Sequence, residues 1–294
     1  MRKTYVGQGT VELIAGGGRI YTDVAARFVR SERPLKEIIE APYSGDLVRQ
    51  ILSSGHKAAL EFDYFLFGVE GYSRVAEVQL VRKRIASYMI KSGRPDKSGR
   101  RSFDVVVPRN VEGVEVAVEV PASQVTLADG SPLLPHLPPG GLGKSAPSAS
   151  PPGGSPAARV VLHLKADDLL SMTESWYEAG VRDGVPEEDL RYLKPQATEF
   201  KGLIGMNAHA LLDWFAIRCC RNAQTEIRDM ATKMLAICRE VAPDIFEGAG
   251  PNCKVLGYCP EDKLQNKKCR DKIPTRARAM ELLAAAHGPA ATDS

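Results

Sequence analysis

Long apolar runs are missing from this chain. No stretch of its 294 residues approaches the roughly 20 consecutive apolar positions that cross a bilayer, so no membrane partner is expected. The first eighteen residues carry two basic side chains but no apolar segment of the secretory kind. Cysteine is absent before Cys219. All six, Cys219, Cys220, Cys238, Cys253, Cys259 and Cys269, fall in the last third. Without a secretory signal they read as reduced thiols of a cytoplasmic protein, not as a disulfide framework. An excess of one charge is lacking too. Lys and Arg number 39 against 36 Asp and Glu, and a net charge of +3 does not require nucleic acid as a partner.

Absent motifs narrow the chemistry further. No G-x-G-x-x-G follows a strand-like run and no Walker loop is present. The spacing Cys253-x5-Cys259-x9-Cys269 is irregular and has no paired C-x2-C, so no metal is expected. The dipeptide Cys-Gln is absent, and with it the nucleophile sequence of cysteine-dependent thymidylate synthases.

What is present is a chain long enough for one large domain or two small ones, each with an apolar core. Residues 131–158 are dominated by Pro, Gly, Ser and Ala with a single charged side chain, the composition of a disordered insertion. A single domain over residues 1–261, interrupted at 131–158, is expected. A basic tail at 262–294 with a short Ala-rich helix follows it. Periodicity predicts short helices at 35–39 and 45–54, a strand at 62–68, and helical spacing over 73–90 through Val75, Val78, Ile85 and Met89. Strands are expected within 103–120 and at the run ARVVLHL, and helices at 166–179, 206–219 and 222–241. On the last of these, Ala223, Ile227, Met230, Met234, Cys238 and Val241 share one side. The fold class is therefore α/β of the α+β kind, a mixed sheet with long packed helices.

Two clusters could carry chemistry. On the helix expected at 206–219, Asn207, Leu211, Trp214 and Arg218 share a stripe, while His209 and Asp213 lie i, i+4 on another face. An arginine on so apolar a helix needs a carboxylate, the helix C-terminal dipole or a bound anion. His209 and Asp213 also read as an ordinary surface pair. The second cluster runs from Gln79 through Arg82, Lys83, Arg84 and Ser87 to Ser92-Gly93-Arg94. Guanidinium forks, hydroxyls and loop amides suit phosphate, though a solvated basic patch or an RNA contact fits the same letters.

Together the clusters resemble the flavin-dependent thymidylate synthase family, often called ThyX. Its signature, R-H-R-x-x-S-x-N-x-x-S-x-R, aligns with residues 82–94: Arg82, Arg84, Ser87, Ser92 and Arg94 match, with Gly93 between the last two. Upstream, Gly55-His56 and Glu61 match a G-H-x-x-x-x-E segment, and Gln79 stands three residues before the signature. Downstream, the runs RYLKP, GMNAHALLDWFAIR and NAQTEIR resemble family segments in the same order.

That resemblance implies a ThyX-like α+β fold, a homotetramer with sites between subunits, and methylation of a uridine monophosphate at C5. It implies FAD as cofactor, methylenetetrahydrofolate as carbon donor and NADPH as reductant. Gln79, Arg82, Ser92, Gly93, Arg94 and Arg191 would hold the nucleotide. Arg218 would contact and polarise the uracil ring. His56, Ala58, Glu61, Arg82, Lys83, Arg84, Asn207, His209 and Asp213 would surround FAD. No nucleic acid and no metal enter this reading.

The chain departs from the family pattern at five positions. Lys83 replaces the signature histidine, Met89 its asparagine, and Ile90 a frequent glutamate. His209 replaces an arginine and Asp213 an asparagine. Three readings stay open. One is an active methylase of UMP, dUMP or both, like the divergent branch that serves polyoxin-type nucleoside-antibiotic biosynthesis, or a housekeeping enzyme for dUMP. The second is a catalytically silent nucleotide- or flavin-binding homologue. The third is an RNA-binding module.

Overall fold

The computed structural model describes residues 1–18, 20–91, 103–121, 159–261 and 264–287. The expected insertion at 131–158 and the Ser92-Gly93-Arg94 loop lie outside them. Two compact units emerge, Met1–Val107 with Gln196–Ser294, and Pro108–Pro195. Among the described residues no helix is long and apolar enough to cross a membrane.

In chain order the first unit opens with β1 (Lys3–Tyr5), β2 (Thr10–Ala15), α1 (Thr22–Phe28), α2 (Leu35–Glu40) and α3 (Gly45–Ser54). Then come β3 (Tyr64–Ser73), α4 (Arg74–Leu80), β4 (Ser87–Ile90) and β5 (Val105–Val107). The second unit holds β6 (Glu115–Pro121), β7 (Arg159–Lys165), α5 (Ala166–Arg182) and α6 (Glu187–Leu190). The chain returns to the first unit with β8 (Glu199–Asn207), α7 (Ala208–Arg218), α8 (Thr225–Val241), α9 (Pro243–Phe246), α10 (Asn252–Leu256) and α11 (Arg276–His287).

The first unit is built on a four-stranded sheet in the order β2-β3-β8-β4. Every pairing in it is antiparallel. The expected mixture of helices and sheet is there, but this sheet is not mixed. Among the described residues the only parallel strand pair is β1 with β5. Alternation decides its inner face. Phe65, Phe67 and Val69 of β3 and Phe200, Ile204 and Met206 of β8 are buried. They pack under Leu211, Trp214 and Phe215 of α7 and Ile227, Met230, Met234 and Cys238 of α8. Phe246 joins the layers, edge-on to Phe65 at 5.4 Å and to Phe215 at 6.0 Å between ring centroids. The apolar side read from the sequence of α8 is thus the side facing the core.

The segment 73–90 corrects its sequence reading. It is not one helix. The helix α4 stops at Leu80, a turn follows, and Ser87–Ile90 form β4 against β8. Val75, Val78, Ile85 and Met89, the apolar positions that suggested helical spacing, are all exposed, while Ala76 and Leu80 are buried. Pairing with β8 outweighs helix propensity here, because Tyr88 and Ile90 gain packing against the core on a strand. The helix expected at 206–219 likewise begins two residues late. Met206 and Asn207 end the strand β8, which periodicity had not shown. Asn207 then caps α7, its side-chain oxygen accepting from the Ala210 amide at 2.8 Å.

In the second unit β6 and β7 form an antiparallel pair that leads into α5. The Asp168 carboxylate accepts from the Lys165 amide at 2.7 Å and so fixes the start of α5. Leu190 packs where Gly180 leaves no side chain, and Lys194 Nζ lies 4.4 Å from the centroid of the Tyr177 ring.

Candidate active site

Three elements of the first unit bring the predicted residues together: the end of α4, the turn at 81–86 and the helix α7. Two carbonyls of that turn region, those of Leu80 and Lys83, each lie 2.9 Å from the Tyr88 hydroxyl. One side chain of β4 thereby holds the Arg82-Lys83-Arg84 turn against the sheet. Burial pushes the Tyr88 phenol up to about 12, opposed in part by the charge of Arg218.

Arg218 is the last residue of α7 and is partly buried. Its Nη2 donates to the Gln79 carbonyl at 3.1 Å and its Nη1 to Gln79 Oε1 at 3.4 Å. Both acceptors are neutral. Burial lowers the Arg218 pKa, the nearby Arg82 lowers it further, and Tyr88 acts the other way. Among the described residues no carboxylate pairs with Arg218, Arg82 or Arg84. A partly buried guanidinium beside a second cation, with only amide oxygens for partners, is costly until an electron-rich or anionic group arrives. Of the roles open to Arg218 from sequence, carboxylate pairing is therefore excluded among the described residues.

The remaining residues line the other end of α7. Lys83 Nζ stands 3.4 Å from Asp213 Oδ2, and His209 Nδ1 3.3 Å from Glu61 Oε1. His209 and Asp213 are therefore not a pair with each other. Each reaches a different neighbour, and the surface-pair reading is corrected. Glu61 and Ala58 belong to a 3-10 turn, Lys57–Phe62, that starts after the exposed His56 and packs on α7. Asn207 spends its side-chain oxygen on the cap of α7. Arg191 belongs to the second unit, where it meets Glu188 at 3.1 Å.

Tyr88 was missed as a site residue because 73–90 was read as helix. As a strand residue, with Tyr88 and Ile90 turned inward and Ser87 and Met89 outward, it is found by period-two alternation. Ile90, where the family often has glutamate, packs over Gly202. A Cβ added at Gly202 would stand 2.7 Å from Ile90 Cδ1. That side chain is part of the core layer, not a polar contact.

The first unit thus sets a partly buried arginine beside a cationic turn on an antiparallel sheet, in a fold of the α+β class. Residues 15–244 match the family model of the thymidylate synthase complementing protein, and the chain belongs to that family. It is 34% identical over 241 residues to the flavin-dependent thymidylate synthase of Geobacter sulfurreducens, covering 81% of this chain and 84% of that one. The enzyme of the same name from Pyrococcus abyssi is 33% identical over 238 residues, 80% and 79% of the two chains. Among solved structures, a UMP/dUMP methylase, PolB from Streptomyces cacaoi, bound with 5-Br dUMP, superposes with a TM-score of 0.56. At 18% identity over 84% of this chain and 96% of that one, it speaks for the fold alone. The chain is accordingly a methyltransferase of the flavin-dependent thymidylate synthase kind.

The donor set suits a flavin dinucleotide. Arg82, Lys83 and Arg84 give one turn three cations against the single carboxylate of Asp213, a surplus that favours a pyrophosphate. Glu61, Asp213 and His209 add acceptors and a ring nitrogen for hydroxyl groups.

Proposed function

We propose that this protein methylates C5 of a uridine monophosphate, with methylenetetrahydrofolate as the carbon source, FAD as cofactor and NADPH as reductant. The observation that carries the reading is Arg218: a partly buried cation with no carboxylate partner among the described residues, held by both oxygens of Gln79 next to Arg82. Gln79 occupies two of the five guanidinium N–H donors, which leaves others for O2 and N3 of uracil. Donors fixed there would stabilise an anionic form of the ring that has lost the N3 proton to solvent, which makes C5 a better nucleophile for the new carbon–carbon bond. The C5 proton leaves, and no cysteine need add to C6. Bound reduced FAD would supply the hydride that turns the transferred carbon into a methyl group. Lys83, His209 and Asp213 would orient the flavin, and Arg82 would bridge the two ligands. His56, Ala58, Glu61, Arg84 and Asn207 complete the flavin side of the proposal. Ser92, Gly93, Arg94 and Arg191 complete the nucleotide side, in an active homotetramer.

Within that reaction the proposal extends to UMP as an accepted substrate, in a biosynthetic role such as nucleoside-antibiotic formation. Ile90 supports it, because an apolar side chain packed over Gly202 replaces an acidic sugar contact. The test is direct. Purified protein should copurify with, or take up, FAD and convert UMP to 5-methyl-UMP with methylenetetrahydrofolate and NADPH. The two kcat/KM values, for UMP and dUMP, decide the sugar. Strong dUMP turnover with no 5-methyl-UMP rejects the UMP extension. No turnover of either, with FAD bound, rejects the activity.

A further inference from the structure

A second group of cations lies outside the site built around Arg218, on the turn that joins α7 to α8. Cys219, Arg221 and Arg228, from that turn and the first part of α8, line a cavity of about 430 Å³ together with Asn266 and Lys268 of the C-terminal segment. Small-molecule pockets span roughly 300–1,000 Å³. Three of the five lining residues are cationic and none is a carboxylate. None of them belongs to the residues proposed to hold the nucleotide and the flavin. Asn266 and Lys268 also lie beyond the stretch 15–244 that matches the family model.

Hydrogen bonds to the backbone fix the walls. Arg228 is half-buried, and its Nη1 donates to the carbonyls of Arg221 at 3.0 Å and Ala223 at 3.2 Å. One guanidinium thus ties the turn to α8 and keeps its charge in the wall. The other wall is the C-terminal segment, carried onto the turn by polar contacts. The Asn222 side chain donates to Glu261 and to the Leu264 carbonyl at 2.8 Å, and Asn266 Nδ2 donates to the Arg221 carbonyl at 3.5 Å. Asn266 also caps the short turn Lys267–Cys269, its Oδ1 accepting from the Lys268 amide at 3.0 Å.

The charges of the cavity are uncompensated. Among the described residues the side chains of Arg221 and Lys268 make no hydrogen bond or ion pair, and no carboxylate meets Arg228. Acidic groups of the neighbouring segments are committed elsewhere. Glu226 accepts from Ser73, Asp229 pairs with Lys233 and accepts from Tyr72, and Glu261 takes the Asn222 amide. The Cys219 thiol brings no negative charge against an anion, since burial pushes it up to about 11. Like charges gathered in one concavity focus a potential that draws in the opposite sign.

We infer that Arg221, Arg228 and Lys268, with the Asn266 side chain, bind a small polyanion: a molecule carrying two or more phosphate or carboxylate groups. Guanidinium forks grip such groups by two oxygens at once, and the Lys268 ammonium adds a point charge on a flexible stem. Two sources share this chemistry, the phosphate chain of a nucleotide and the glutamate carboxylates of a folate. Binding is noncovalent and does not depend on the methylase reading.

Calorimetric titration of the full chain, in a low-salt buffer free of phosphate, tests the site with inorganic pyrophosphate and separately with tri-γ-glutamate. At least one probe should bind. Arg221→Gln and Lys268→Gln should each weaken that binding by about tenfold or more, because a charge-assisted contact is lost. Arg84→Gln, on the cationic turn of the proposed flavin side, should leave it unchanged. Both cavity variants should melt with the parent chain, since neither side chain has a partner among the described residues. Tighter binding of pyrophosphate assigns the cavity to a phosphate chain, and tighter binding of tri-γ-glutamate assigns it to a folate tail. A chain inactive on UMP and dUMP that still binds a probe in this way keeps the inference and loses the reaction. Failure of both probes at millimolar concentration overturns the inference. So does binding that both cavity variants retain at full strength.

Discussion

Two regions of the first unit differ in what holds them: the sheet with α7 and α8, and the segment 252–275. On one side, Arg218 lies near the charge of Arg82, and among the described residues its partners are the amide oxygens of Gln79. On the other, the segment 252–275 is held by polar contacts such as that of Asn222 with the Leu264 carbonyl, and among its described residues only Cys259 and Gln265 are buried. The first lies in a packed sheet-and-helix framework. The second has no such framework. A group held in a packed setting keeps its orientation toward a ligand, whereas a segment without an apolar core depends on its polar contacts.

Removing the central group of the rigid cluster should have the largest effect. Arg218→Ala is expected to lower kcat by about 100- to 1000-fold while flavin binding and thermal stability hold, since one oxyanion-type donor is typically worth that much. Steady-state kinetics beside a flavin spectrum check it, and activity within a few-fold of the parent removes Arg218 from the ring. Next comes its support. Gln79→Ala deletes the Oε1 contact and leaves the carbonyl contact, so kcat should fall by roughly tenfold, or about 1.4 kcal/mol. An unchanged kcat with raised KM would instead mean that Gln79 binds without positioning.

Ser73→Ala probes the framework, not the site. The Glu226 carboxylate is 2% exposed and accepts from both the amide and the hydroxyl of Ser73. Burial raises its pKa, and the Ser73 bonds oppose that. Losing the hydroxyl should cost about 1–3 kcal/mol in chemical denaturation and leave kcat near the parent value. Because the folded pKa is raised, the contribution of Glu226 to stability is greatest below its unfolded pKa and is lost as pH rises through the folded one. The Ser73→Ala penalty should accordingly be larger at neutral than at acidic pH. A pH-independent penalty would contradict the sign.

Tyr88→Phe should cost about 1 kcal/mol, read as a lower melting temperature, by freeing the turn that carries Arg82. The smallest effect is expected from Asp213→Ala. Its contact with Lys83 is half exposed on the Asp213 side and worth at most about 1 kcal/mol of stability. If flavin affinity nonetheless drops by an order of magnitude, the group acts on the cofactor and not on the fold.

Much of this architecture was legible before any coordinates. The helix α8 could be read from Ile227, Met230, Met234 and Cys238, because one buried face repeats at 3.6 residues. The strand β7 and the helix α5 were legible for similar reasons. The sheet was less so. Half of β8 reads as small and apolar, Gly202 to Met206, and a short apolar run does not tell strand from buried helix. The strand β4 was hidden because its four residues gain their conformation from hydrogen bonds to β8, more than a hundred positions away.

What the sequence determined by itself was membership: the order of Gly55-His56, the Arg82–Arg94 run and the Asn207–Arg218 run names the family and the residue types its chemistry needs. What only the tertiary structure decided was the state of those residues. It gave Arg218 neutral partners instead of a carboxylate, sent His209 and Asp213 to separate neighbours, and packed Ile90 against the core. The reason is physical. Residue type sets which interactions are available, but charge compensation and burial depend on what other segments bring within a few ångströms, and local spacing does not carry that information.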